Sequence, residues 1–162
     1  DYMTSIEKQI KKLGLVLPEP STPGGNYSSC NTRGNHVSVA IQFPIKNGEF
    51  LYQGKLGAEL DTEAGYQAMR LCGLNVLAQI NKYFEVEQME GLLHADIFYC
   101  GAEGWDDAPK VANGASDLFV EVLGEKGQHS RAILGVHALP RQFSVGLAVT
   151  LVLRRRIPWI FA

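Results

Sequence analysis

Apolar residues recur at helical spacing in three stretches of the chain. Ile6, Ile10 and Leu13 fall on one side of a short segment whose Lys8, Lys11 and Lys12 face elsewhere. Residues Thr4 to Leu13 therefore predict a short amphipathic helix, started at Thr4 or Ser5 and stopped at Gly14. A much longer pattern follows a cap at Asp61 or Thr62 and runs to about Tyr83. Ala64, Ala68, Leu71, Cys72, Leu74, Leu77 and Ile80 make its wide apolar face. The third runs roughly from Asp106 to Leu123, with Val111, Ala115, Leu118, Phe119 and Val122 on the buried side. Pro109 fits only the first turn of such a helix, and Gly124 ends it. Glu103, Asp106 and Asp107 stand near its start, where negative charge suits the helix dipole.

The remaining apolar positions read as strands. Tyr27 to Thr32 and His36 to Phe43, joined across Arg33-Gly34-Asn35, predict a hairpin. Lys46-Asn47-Gly48 is a second turn, followed by a short apolar element at Phe50 to Tyr52. Met89 to Cys100 is a mostly apolar run suited to a buried strand. Arg131 to Ala138 and Phe143 to Leu153, with Pro140 between them, predict a closing hairpin. Pro18 to Gly25 is too rich in proline and glycine for helix or central strand and reads as a loop. Helices and strands are mixed without strict alternation, so the expected class is α+β. The expected organisation is an N-terminal helix and loop over residues 1–25, one main domain over 26–153, and a tail over 154–162.

Composition narrows the function classes. The chain has 162 residues, enough for one sizeable core, and a net charge of -2, which gives no general attraction to DNA, RNA or anionic membranes. Cys30, Cys72 and Cys100 form no CxxC pair, and with His36, His94 and His129 they give no metal-ligand spacing. An odd number of scattered cysteines argues against a disulfide scaffold and for a reducing compartment. The charged start DYMTSIEKQIKK lacks the apolar stretch of a secretion signal. The expected location is the cytoplasm, or the mitochondrion in a eukaryote. The ending Arg154-Arg155-Arg156-Ile157-Pro158-Trp159-Ile160-Phe161-Ala162 is basic then apolar, too short to span a bilayer, and reads as an atypical tail.

Five segments stand in an order and at separations that resemble one family. They are Gly25-Asn26-Tyr27 after the proline-rich loop, Gln42-Phe43-Pro44 at a strand end, and Gly65-Tyr66-Gln67-Ala68-Met69-Arg70-Leu71-Cys72 in the long helix. Lys110-Val111-Ala112-Asn113-Gly114-Ala115-Ser116-Asp117 is the fourth, and the fifth is Ser130-Arg131 opening a strand that ends Ala138-Leu139-Pro140. Together they are similar to the YjgF/Rid family, also called endoribonuclease L-PSP, from about Ile6 to Leu153.

The resemblance implies a chorismate-mutase-like fold, a mixed sheet packed on two long helices. It also implies a homotrimer whose intersubunit clefts bind a small organic acid, imine or enamine and hydrolyse it without cofactor or metal. Arg131 matches the family's carboxylate-binding arginine, and a permanently charged fork suits that task. Tyr27 and Asn113 match other cleft positions, with Ile133, Ala40 and Ile41 on the cleft wall.

Departures qualify the catalytic expectation. Gly146 stands where the family has a glutamate that handles water, and glycine has no group for this. The family's serine and glycine before the Gln-x-Pro segment are Ala40 and Ile41 here, so a more apolar cleft is expected. His137, an even number of residues beyond Arg131, would share its face in a regular strand and stand in as a base, although an ordinary structural histidine is the simpler reading. A diverged member that binds, isomerises or cyclises its acid without hydrolysis is the alternative. A ribonuclease or translation-inhibitor role, known as a label in the family, finds no basic face to support it.

Overall fold

The computed structural model describes residues 2–155. Helix α1, Ser5–Lys12, begins where Thr4 and Glu7 satisfy each other's free N–H groups. The Thr4 hydroxyl accepts from the Glu7 N–H at 3.1 Å, and the Glu7 carboxylate accepts from the Thr4 N–H at 3.3 Å. Ile6 and Ile10 enter the main core; Leu13, the C-cap, stays exposed.

Helices α2, Thr62–Tyr83, and α3, Ala108–Leu123, are the two long ones. Asp61 caps α2 by accepting from the Ala64 N–H at 2.7 Å. From Leu71 to Ile80 every residue of α2 is buried, whichever way it points. The helix packs against strands on one side and α3 on another. An amphipathic face alone would not bury it so completely, and the polar Asn75 and Gln79 go under with it. Gly114 of α3 makes the approach possible. A Cβ there would run into the Tyr66 carbonyl oxygen and lie 3.0 Å from the Arg70 nitrogen. Two side-chain bonds one turn apart then tie the helices: Tyr66 donates to Asp117 at 2.7 Å, and Arg70 pairs with Glu121 at 2.9 Å.

The strands are β1 Cys30–Arg33, β2 His36–Gln42, β3 Ile45–Lys46, β4 Glu49–Phe50, β5 Met89–Tyr99, β6 Ser130–Gly135 and β7 Val145–Leu153. β3 and β4 form a small separate hairpin, and the main sheet has the order β1-β2-β7-β5-β6. The β1–β2 hairpin forms as the pattern predicts, but β1 starts at Cys30 rather than Tyr27, which lies in the preceding glycine-containing loop.

The expected closing hairpin does not exist. β6 pairs with β5 in parallel, and β7 runs antiparallel between β2 and β5. The reason is α3. A parallel neighbour needs a crossover, and α3 supplies one from β5 to β6, leaving β6 at the sheet edge. The segment after Gly135 then crosses the end of β5, and β7 fills the central place. Arg154 and Arg155 end the described residues in exposed positions, and the rest of the basic-apolar tail, 156–162, lies outside them.

Packing at Gly114 yields a direct expectation. Gly114→Ala forces α2 and α3 apart and should cost on the order of 3 kcal/mol, read as a lowered urea midpoint in equilibrium unfolding. An unchanged midpoint would show that this close approach carries no stability.

Candidate functional site

Arg131 opens β6, paired in register with Ala95 of β5, and reaches across to α3. Its Nη1 donates to the Asn113 Oδ1 at 2.8 Å and to the Ser116 Oγ at 3.1 Å. Asn113 and Ser116 are three residues apart and so share one face of α3. Both bonds use one nitrogen. Among the described residues no hydrogen bond engages Nε or Nη2, so an edge of the fork is left for an outside acceptor.

Behind Ser116 stands His129. Its Nε2 lies 2.9 Å from the Ser116 Oγ, and its Nδ1 lies 2.7 Å from the Gly127 carbonyl oxygen. A carbonyl only accepts, so Nδ1 carries the proton of the neutral ring and Nε2 offers a lone pair to the serine hydroxyl. Phe119 sets its ring edge to face against the imidazole, 5.7 Å between centroids. Ser116, His129 and Arg131 line one open cavity of about 580 Å³ together with Asp117 and Glu121, the acids already engaged by Tyr66 and Arg70. That hydrogen bond, more than burial, raises the Tyr66 phenol above its ordinary range.

A second cavity, about 220 Å³, is walled by the proline-rich loop, the end of β2 and the turn before β7. Tyr27, Ala40 and Ile41 line it, with Phe43, Arg141 and Phe143. Buried amides on α2 fix these walls. Asn75 donates to the carbonyls of Phe43 and Ile45, both at 2.9 Å, and Gln79 donates to the Ser21 carbonyl at 2.8 Å. Phe43 and Phe143 stack at 5.0 Å, which makes one wall aromatic. Tyr27 is 54% exposed, so its ring is offered outward rather than packed.

Gly146 lies in β7 opposite Phe98 of β5. The space a side chain would take is filled: a Cβ there would sit 2.9 Å from Ile41 Cδ1 and 3.1 Å from Phe43 Cε1.

A sequence model described as "YjgF/chorismate_mutase-like, putative endoribonuclease" matches residues 7–151. The chain belongs to the YjgF/chorismate-mutase-like family. It is 31% identical over 137 residues to Protein TCP17 of Trypanosoma cruzi, covering 83% of this chain and 86% of that one. The crystal structure of the protein Atu1372 from Agrobacterium tumefaciens superposes with a TM-score of 0.86 at 30% identity, covering 93% of each chain. A "putative endoribonuclease" from Shewanella oneidensis superposes at 0.87 with 32% identity, covering 93% of this chain and 99% of that one.

As a YjgF-family chain, it distributes the anticipated site residues over two places. Arg131 and Asn113 meet directly; Tyr27, Ala40 and Ile41 share the other cavity. Ile133 is half-buried in β6, packs on the core and lines neither cavity. His137 does not accompany Arg131. β6 ends at Gly135, so the even spacing loses its meaning, and His137 lines a separate cavity of about 280 Å³ with Lys55, Glu59 and Cys100.

Ser116 and His129 were not singled out as a pair by sequence reasoning. Thirteen residues part them, and only the crossover from α3 to β6 brings them together. The available signal was Ser116 three residues after Asn113, on the face that meets Arg131. Among the described residues, no group of three or more His, Cys, Asp and Glu is placed to hold a metal ion, and no helix is long and apolar enough to cross a membrane.

The filled space at residue 146 is testable by itself. Gly146→Glu should cost about 2 kcal/mol and lower Tm by roughly 5 °C, because the new stem meets Ile41 and its carboxylate is trapped beneath an apolar cover. Adding Ile41→Ala should return at least half of that loss in a thermal melt; no recovery would mean that Ile41 does not occupy the space.

Proposed function

We propose that the protein hydrolyses a small carboxylate-bearing imine or enamine in a cleft completed by a neighbouring subunit of a homotrimer. The observation that carries this is Arg131. It is a permanent cation held at the mouth of a cavity by Asn113 and Ser116, with part of its fork unengaged. A planar fork binds both oxygens of an acid group, and the neighbouring Asp117 and Glu121 repel a doubly charged phosphate more than a singly charged carboxylate.

The two groups of site residues support the shared cleft. β2 and β6 are separated by β7 and β5, roughly 14 Å at ordinary strand spacing, and Arg131 leans toward α3. One small acid cannot touch Arg131 and Tyr27 of the same chain. It touches both if a second copy brings its Tyr27 cavity to the first copy's Arg131. The apolar wall of Ile41, Phe43 and Phe143 then receives the substrate's side chain.

One observation favours a second reading. Gly146 supplies no carboxylate, and Ile41 and Phe43 close the gap. A site diverged in this way binds, isomerises or cyclises its acid without hydrolysis. The endoribonuclease description of the family and of a relative finds no support in the net charge of -2.

The direct test generates 2-aminoacrylate enzymatically and follows release of ammonia. Acceleration over buffer is expected, with kcat/KM lowered roughly 10- to 100-fold in Arg131→Ala, mostly through KM, as the loss of charge-assisted bonds dictates. Light scattering should return three times the chain mass. Tight binding of 2-oxobutanoate without turnover of any amino-acid-derived imine would favour the second reading, and salt-sensitive binding of single-stranded RNA would favour the third.

A further inference from the structure

We propose that Ser116 and His129 form the proton relay of this site, handling water in place of the carboxylate absent at position 146. The proposal rests on the imine-hydrolase reading and names the residues that perform its chemistry. Three observations carry it. The serine hydroxyl is 2.9 Å from an imidazole nitrogen whose lone pair faces it, because the other ring nitrogen is committed to the Gly127 carbonyl. The same hydroxyl is 3.1 Å from the Nη1 of Arg131, so it stands beside the group that grips the acid. All three side chains line one open cavity that water and a small acid can enter.

A carboxylate oxygen that accepts from Nη2 on the side facing Nη1 stands beside the Ser116 hydroxyl. A water bonded to the Ser116 Oγ then bridges to the carbon next to that carboxyl. Nucleophile-side hydroxyl, base and orienting carbonyl are thus in the sequence that acid–base catalysis needs. Ser116 touches the water; His129 acts through it.

The steps balance as follows. Water attacks the carbon of the protonated imine, forming the C–O bond as the C=N π bond breaks and its pair moves to nitrogen. One water proton passes to the Ser116 Oγ as the serine proton passes to the His129 Nε2. The neutral carbinolamine then takes that proton back on its nitrogen by the reverse route. The C–N bond breaks, ammonia leaves with the bonding pair, and the hydroxyl proton goes through Ser116 to His129 and out to solvent or ammonia. The net change is one protonated imine and one water to one oxo acid and one ammonium ion, with no oxidant or reductant.

The charged groups sharing the cavity with His129 are Asp117 and Glu121 of α3 and Arg131 of β6. The acids are held by Tyr66 and Arg70 of α2, so neither is disposed to replace the imidazole as base.

The test compares Ser116→Ala and His129→Gln with the native protein in the imine assay, and measures 2-oxobutanoate binding by calorimetry. Both variants should lose kcat by at least about a hundredfold, while the Kd for 2-oxobutanoate changes by less than about threefold in His129→Gln and rises by no more than about tenfold in Ser116→Ala, which also loses a bond to Arg131. In His129→Gln the acid limb of the kcat–pH profile should disappear, and imidazole added to His129→Ala should restore part of the rate. If the variants instead raise KM and Kd at unchanged kcat, the pair merely props Arg131 and the relay is overturned. If the native protein turns over and both variants match it, the relay falls while the hydrolase reading stands. If the native protein hydrolyses no imine, the hydrolase reading fails and the relay with it. Should a variant unfold, Ser116→Thr, which keeps a hydroxyl, must retain rate where Ser116→Ala loses it.

Discussion

Burying Asn75 and Gln79 in the middle of α2 creates an obligation that orders much of the molecule. An amide N–H taken out of water without a partner costs more than a made hydrogen bond returns, so the NH2 groups of these side chains must find acceptors nearby. They find them in the carbonyls of Phe43, Ile45 and Ser21. Two otherwise irregular stretches, the proline-rich loop and the end of β2, are thereby fastened to the most buried helix in the protein. The other flank of α2 holds α3 through Tyr66 and Arg70, and α3 in turn holds Arg131 through Asn113 and Ser116. Both walls of the candidate chemistry thus hang from one rigid element. A group positioned that way needs little reorganisation when an anion arrives, and such preorganisation is the main source of electrostatic advantage in an enzyme.

The three helices were legible because their cues are local. Thr4 before the Ile6-Ile10 spacing, Asp61 before an apolar face, and Pro109 in a first turn each follow from neighbours within one or two turns. Strand existence was legible for the same reason. Strand partnership was not. Arg131 to Ala138 and Phe143 to Leu153 are adjacent in sequence and look like a hairpin, yet the β5 residues that β6 pairs with stand thirty-six positions earlier. No property of those residues announces that α3 has already carried the chain across the sheet. His137 failed with the same assumption, since its parity with Arg131 counted only while the strand continued.

The site shows the same division between local and distant information. Arg131, Asn113 and Tyr27 were readable through their resemblance to a family pattern, and so was the missing side chain at Gly146. What fills that gap was not readable. Ile41 was anticipated as a wall residue, but its end and the Phe43 ring lie over β7 because the β2–β7 register shifts between Val39 and Gln42. The irregularity re-aims a strand end, a common use of a bulge. Gly146 and the Ile41 and Phe43 side chains that fill its space are therefore one packed unit, spread over two strands about a hundred residues apart.

The central position of β7 also bears on how the chain comes to its final form. Among the described residues it is the last strand to be synthesised, and both of its neighbours precede it by more than forty residues. Until it arrives, β2 and β5 present unpaired edges, and the sheet exists as two halves with nothing between them. Pairings of such long sequence separation close slowly, so emergence from the ribosome leaves a window in which those edges are exposed to other chains. The strand that carries Gly146 is thus also the keystone of assembly, and a lesion in it endangers solubility before it touches chemistry.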